Sequence, residues 1–167
     1  LCCFCAQILG MSNFFLESTH DSNKKIARVS AVISASQQEI FALLADPAQH
    51  ATIDGSGSVK SSRDEHPNRL ELGTKFGMEM KVGVPYKITN EVVEFIEGER
   101  IAWRHFGGHI WRYILVADGA NTCVTEEFDY ARAKSPFFIK LAGYPDKNRK
   151  SMEKTLERMQ KYFTTPR

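Results

Sequence analysis

Apolar Phe76, Met78, Met80 and Val82 alternate with Lys75, Gly77, Glu79 and Lys81, the period of two that a β-strand with one wet face requires. Tyr86, Ile88, Asn90 and Val92 repeat the pattern against Lys87, Thr89 and Glu91, until Val92-Val93 breaks the phase and predicts a bulge. The β-branched run IARVSAVI at 26–33 predicts an earlier strand. Further strands are predicted at 100–106, 110–117 and 122–130, set apart by turns at Gly98 and at Asp118-Gly-Ala-Asn121.

Between the first strand and the rest the period changes. Ser36, followed three residues later by Glu39, has the capping-box spacing that satisfies free amides at a helix start. A helix from about 37 to 45 follows, burying Ile40, Phe41, Leu43 and Leu44, and Asp46-Pro47 ends it and opens a second short helix, AQHATI, before the flexible Gly55-Ser-Gly57. Near the C-terminus FFIKLAG can form one or two helical turns. Beyond about Asp146, Met152, Leu156, Met159 and Phe163 form one apolar stripe opposite Lys150, Glu153, Lys154, Glu157 and Arg158, a solvated face. A curved sheet with one apolar face needs a cover, and this C-terminal helix is the element long enough to supply it.

With 43% hydrophobic residues in 167, the chain can bury a full core, and its length suits one domain. That domain is expected over 24–167, with 1–23 set aside as an N-terminal tail. The 22 basic and 20 acidic residues leave a formal charge of +2 and no basic run that would track a phosphate backbone, so nucleic acid is not an expected partner. Cys2, Cys3 and Cys5 crowd the start and Cys123 stands alone, which predicts neither a zinc site nor a disulfide framework and makes a reducing cytoplasm the default. The opening LCCFCAQILG is too short to span a bilayer and lacks a basic leader; it reads as sequence upstream of a start at Met11, or as the remnant of a signal peptide. No integral membrane insertion is expected. Gly-x-Gly-x-x-Gly, Walker and nucleophile-elbow patterns are absent, so no cofactor is expected.

The order of elements, with Ser36-Gln-Gln-Glu-Ile-Phe41, Asp46-Pro47, Asp54-Gly-Ser-Gly57, Trp111-Arg-Tyr113 and Val124-Thr-Glu-Glu-Phe-Asp129, resembles the SRPBCC superfamily over about residues 24–164. This is the START-like, polyketide-cyclase/dehydrase-like group that shares its helix-grip fold with the birch pollen allergen. The resemblance implies an α+β fold in which a curved seven-stranded antiparallel sheet, with two short helices after the first strand, wraps a long C-terminal helix. It also implies an internal cavity for an apolar or amphipathic small molecule. It does not imply an activity, because one fold hosts many.

The stretch WRHFGGHIWRY at 103–113 holds both tryptophans and two of the five histidines. A three-residue loop Gly107-Gly-His109 would set His105 opposite Trp111 and Trp103 opposite Tyr113. Ile101, Trp103, His105, Trp111, Tyr113 and Leu115 would then share one face, and Arg104 and Arg112 the other. That face is both core and cavity wall. Candidate lining residues are Phe76, Met78, Met80, Tyr86, Ile88, Trp103, Trp111, Tyr113, Val124 and Phe128 on the strands, with Met152 and Leu156 on the helix.

Three polar residues fall on apolar phases. His105 is either a hydrogen-bonded core group or a proton carrier near neutral pH. Asn90 follows Tyr86 and Ile88 in register. Glu126 sits between Val124 and Phe128, where it is a rim residue paired with a cation or, in the second reading, a general base or anchor for a ligand hydroxyl. The rim reading ranks first. His50 and Asp54, four residues apart, are placed near the cavity mouth; with no third ligand nearby, no metal is expected, and Asp54 reads more simply as a loop cap.

The leading expectation is binding of a hydrophobic or aromatic small molecule, lipid-like or polyketide-like. The alternative is a cyclase/dehydrase-type enzyme in which His105, Glu126 or Asn90 handles protons. A macromolecular partner module is the third reading, and against it no apolar stripe is evident outside the expected core.

Overall fold

The computed structural model describes residues 16–62 and 67–165. Eight strands form one antiparallel sheet: β1 (Leu16–Asp21), β2 (Ile26–Ile33), β3 (Val59–Ser62), β4 (Lys75–Val82), β5 (Val84–Ile96), β6 (Arg100–Arg104), β7 (Ile110–Asp118) and β8 (Asn121–Asp129). Their spatial order is β1-β2-β8-β7-β6-β5-β4-β3, so every neighbour except β2-β8 is also a neighbour in sequence. Four helices complete the fold: α1 (Gln37–Ala45), α2 (His50–Ile53), α3 (Pro136–Leu141) and α4 (Tyr144–Thr164), with a 3₁₀ turn at Pro47–Gln49.

The strand count corrects the expectation of seven. β1 lies in the segment set aside as a tail, paired with β2 through Leu16↔Ala31, Ser18↔Val29 and His20↔Ala27. Its inward positions escape hydrophobic patterning because two of the three are polar and find polar partners. The Arg149 guanidinium donates to the Ser18 hydroxyl (3.0 Å), and His20 Nε2 meets the Tyr130 hydroxyl (2.9 Å).

Elsewhere the local signals hold. Ser36 and Glu39 form the capping box of α1, whose Ile40, Phe41, Leu43 and Leu44 are buried. The β5–β6 register shifts between Val92 and Glu94, where the broken phase predicted a bulge. Asp118 pairs with Asn121 across a two-residue turn that Gly119 enters at φ 63°, a conformation that costs glycine little.

α4 lies across β2, β8 and β1. Met152, Leu156 and Met159 of its stripe are fully buried against the sheet face that carries Ala27, Val29, Ala31, Ile33, Val124 and Phe128. Each such side chain contributes about 1.5–3 kcal/mol by leaving water. α3 is different, since none of its six residues is buried. Its Phe137, Phe138 and Leu141 are exposed, which corrects the expectation that no apolar stripe lies outside the core.

On the opposite sheet face an ion network spans five strands, from β2 across β8, β7 and β6 to β5. Ala102 stands opposite both Arg112 and Glu94, and its small side chain lets Arg112 reach across β6 to the Glu94 carboxylate (Nη2–Oε1 2.6 Å). The same guanidinium donates to Glu127 (2.7 Å), which also accepts from Arg28. These bonds hold the Glu94 carboxyl below the usual range and raise the affinity of Arg112 for its proton.

Candidate functional site

The hairpin that carries both tryptophans pairs Trp103 with Trp111, Ile101 with Tyr113 and Ala102 with Arg112. Its loop runs over residues 105–109, closed by His105 N–H to His109 O (3.0 Å) and Gly108 N–H to His105 O (2.8 Å). The register is displaced by two residues from the expected one. A displacement of two preserves side-chain parity, so both indoles and Tyr113 still share the inner face. It also takes Arg112 out of direct opposition to Arg104, a like-charge pairing that the expected register imposed.

These side chains wall a cavity of about 590 Å³ between the sheet and α4. Met78, Met80, Tyr86, Ile88, Trp103, Trp111, Tyr113, Phe128 and Met152 border it. Phe76, Val124 and Leu156 do not; they are core behind the wall, where Phe76 stands edge-on to His50 (5.6 Å) and Trp103 (5.8 Å). Val82, Tyr86 and Tyr144 both border the cavity and are exposed, which locates its mouth.

The polar groups facing the void are few and separately held. Glu126 is only 4% exposed, and Tyr113 stands directly opposite it on β7. The Tyr113 hydroxyl hydrogen-bonds the Glu126 carboxyl, whose Oε2 has no partner among the described residues. Burial outweighs that hydrogen bond and, with the Asp54 charge adding to it, raises the Glu126 pKa to about 8. The rim reading of Glu126 is thereby corrected: the strand phase points it inward, and no described lysine or arginine pairs with it.

His50 is buried, with Nε2 2.8 Å from the Leu44 carbonyl and its ring stacked on Trp103 at 4.9 Å. Burial holds it neutral by lowering its pKa. With Nε2 engaged as donor to Leu44, Nδ1 is left as the acceptor. Asp54 borders the same space, but its carboxylate is spent on the loop after α2, accepting from Ser56 N–H (3.1 Å), Val59 N–H (3.0 Å) and the Ser56 hydroxyl (2.7 Å). That is the loop cap anticipated for it.

At the hairpin end His105 and His109 stack at 4.6 Å, and His105 Nδ1 accepts from Gly107 N–H (3.3 Å). Burial lowers both, and with His105 beside it His109 falls to about 4. Asn90 is buried on β5. His105, Asn90 and Glu126 thus all border one void. Among the described residues no three His, Cys, Asp or Glu side chains gather to hold a metal ion, and no helix is long and apolar enough to cross a membrane.

No protein-family model matches the chain. It is 34% identical over 144 residues to the uncharacterized protein Rv0088 of Mycobacterium tuberculosis, a match covering 83% of this chain and 64% of that protein. The chain thus spans less than two thirds of that relative's length. Protein Ms6760 from Mycobacterium smegmatis has the same fold at a TM-score of 0.69, with 17% identity over 91% of this chain and 98% of its own. An AHSA1-like protein from Aeromonas hydrophila matches at 0.55, again 17% identical, over 81% of this chain and 90% of its own. These likenesses show a helix-grip fold, a curved sheet around a long C-terminal helix.

In this helix-grip fold the gripped helix also faces the void. Asn148, Ser151, Met152 and Thr155 of α4 border it, with Lys147 at the mouth and Ser56 and Ser58 on the facing loop. Sequence reasoning missed the polar members. The available signal was a row of small polar residues at helical spacing beside Met152, which the pattern of charges on α4 hid. His109 was missed because it was assigned to a turn.

Proposed function

We propose that the protein binds an apolar or aromatic small molecule, lipid-like or polyketide-like, inside the cavity under α4. One observation carries this reading: about 590 Å³ of space walled by two indoles, Tyr113, Phe128 and three methionines, with isolated polar groups facing it. That volume lies within the range of small-molecule sites, and aromatic and thioether walls adapt to flat or irregular guests. Thermal-shift screening and native mass spectrometry with fatty acids and fused-ring polyketides test it. A bound guest is expected to raise the melting temperature and to change the emission of Trp103 and Trp111. A melting temperature unmoved across such a panel counts against the reading.

A second reading rests on Glu126. A buried carboxyl with one free oxygen, titrating near neutral pH beside a tyrosine hydroxyl, can give or take a proton at a guest's carbonyl or α-carbon. This is the acid–base work of a cyclase or dehydrase. Its mark would be turnover that Glu126→Gln abolishes while binding survives; turnover unaffected by Glu126→Gln rejects this role.

A further inference from the structure

α3 turns large apolar side chains away from the protein. Phe137, Phe138 and Leu141 are 70%, 66% and 71% exposed, while Ile139 reaches the cavity. Across the mouth the β4–β5 tip exposes Val82 and Val84, and the β6–β7 loop exposes Phe106. These segments meet at one end of the sheet. Val82 and Ile139 border the same cavity, and Gly107 O accepts from Lys134 N–H (2.9 Å). An apolar surface gathered at one place in this way marks a surface that meets another phase or molecule.

The charges beside it say which. Residues 81–87 and 131–144 hold Lys81, Lys87, Arg132, Lys134 and Lys140 and no acidic residue. The acids that flank them are each paired: Glu79 with Lys87 (3.5 Å), Asp129 with Arg112 (3.7 Å) and Asp146 with Arg149 (3.6 Å), which leaves Lys81, Arg132, Lys134 and Lys140 as the cations of this end. Lysine is depleted from the cores of protein–protein interfaces, whereas rings and aliphatics beside lysines suit the boundary of a bilayer. There the apolar groups enter the acyl region and the ammonium groups stay among the phosphates.

We propose that this end of the protein docks peripherally on an anionic phospholipid surface, inserting Phe137, Phe138 and Leu141 beside Val82 and Val84, with Lys134 and Lys140 on the phosphates and the cavity mouth toward the lipid. The docking stands apart from whatever the cavity binds, and a small-molecule screen can fail without touching it.

Co-sedimentation of the full chain with vesicles tests it, using phosphatidylcholine alone and equal parts phosphatidylcholine and phosphatidylglycerol. Binding to the mixed vesicles is expected, about tenfold or more weaker to phosphatidylcholine alone and weakened by salt. Phe137→Ser with Phe138→Ser and Leu141→Ser is expected to lose about tenfold or more on the mixed vesicles. Lys134→Glu with Lys140→Glu is expected to erase the preference for anionic lipid. All these positions are exposed, so the melting temperature stays near that of the wild type. If the triple variant melts early, Val82→Ser with Val84→Ser on the other rim carries the same test. Wild-type protein left in the supernatant with both vesicles overturns the proposal, as does equal binding by a folded rim variant. So does a wild-type dimer that the triple variant dissociates, which would give the patch to a second copy of the chain.

Discussion

Tyr113 and Glu126 face each other across the β7–β8 pair, and the tyrosine hydroxyl meets the carboxyl while Oε2 has no described partner. That hydrogen bond favours the ionised carboxylate and burial opposes it. Tyr113→Phe is therefore expected to move the Glu126 titration further above its present value of about 8. The loss of stability should be about 1–3 kcal/mol, as for a buried polar group left unsatisfied. Carboxyl-carbon NMR through a pH series and urea denaturation measure the two effects.

The same carboxyl sets a pH dependence of stability. Its pKa is raised in the folded state, from 4.5 to about 8, so between those values the folded protein keeps a proton that the unfolded chain releases. Stability then falls as pH rises through that window. His109 acts in the other sense: lowered from 6.5 to about 4, it costs stability as pH falls between those values. The two slopes oppose each other in mild acid, and of the two only that of Glu126 remains above pH 6.5. Wild-type protein is expected to lose stability on the order of a few kcal/mol toward pH 8, and Glu126→Gln to flatten that decline. Denaturant melts at several pH values decide it.

Gly55 is expected to tolerate no side chain. A Cβ there would lie 2.2 Å from Ser151 O and 2.4 Å from Thr155 N, both main-chain atoms of α4. Its own N–H donates to the Thr155 hydroxyl at 3.0 Å. Gly55→Ala should cost about 3 kcal/mol or more, because the helix must move to admit one methyl group. Thermal unfolding measures it.

Arg112→Met tests the opposite sheet face. The substitution leaves buried Glu127 with Arg28 as its remaining partner and strips Glu94 of its short contacts. A cost of about 3–5 kcal/mol is expected from breaking a buried charge network on one side. The affinity for a cavity guest should stay unchanged, since Arg112 points away from the void.

Much of this architecture was legible because strand parity and helix caps are local. Ser36 and Glu39 announced α1, Val92-Val93 announced the bulge, and the alternation through Val124, Glu126 and Phe128 put the carboxylate inside. What failed was non-local. The two-residue slip of the hairpin is invisible to parity, and β1 carries Ser18 and His20 where a strand signal needs apolar residues. Asn148, Ser151 and Thr155 reveal their place only once α4 is laid against the sheet. Glu126 was correctly aimed but wrongly assigned to the rim, because the favourable option for a charged group is solvent and the sequence does not show that Tyr113 opposes it.

The short helix that buries none of its residues gives the hollow two unequal ends. Inside, His50, expected at the mouth, is instead buried between a carbonyl and an indole; at the open front, α3 borders the space through Ile139 with little of itself committed to the interior. On the proposed binding function, size discrimination falls to the clamped end and admission to the loosely seated one. Amide exchange should run fastest through 136–141 and slow there when the space is filled.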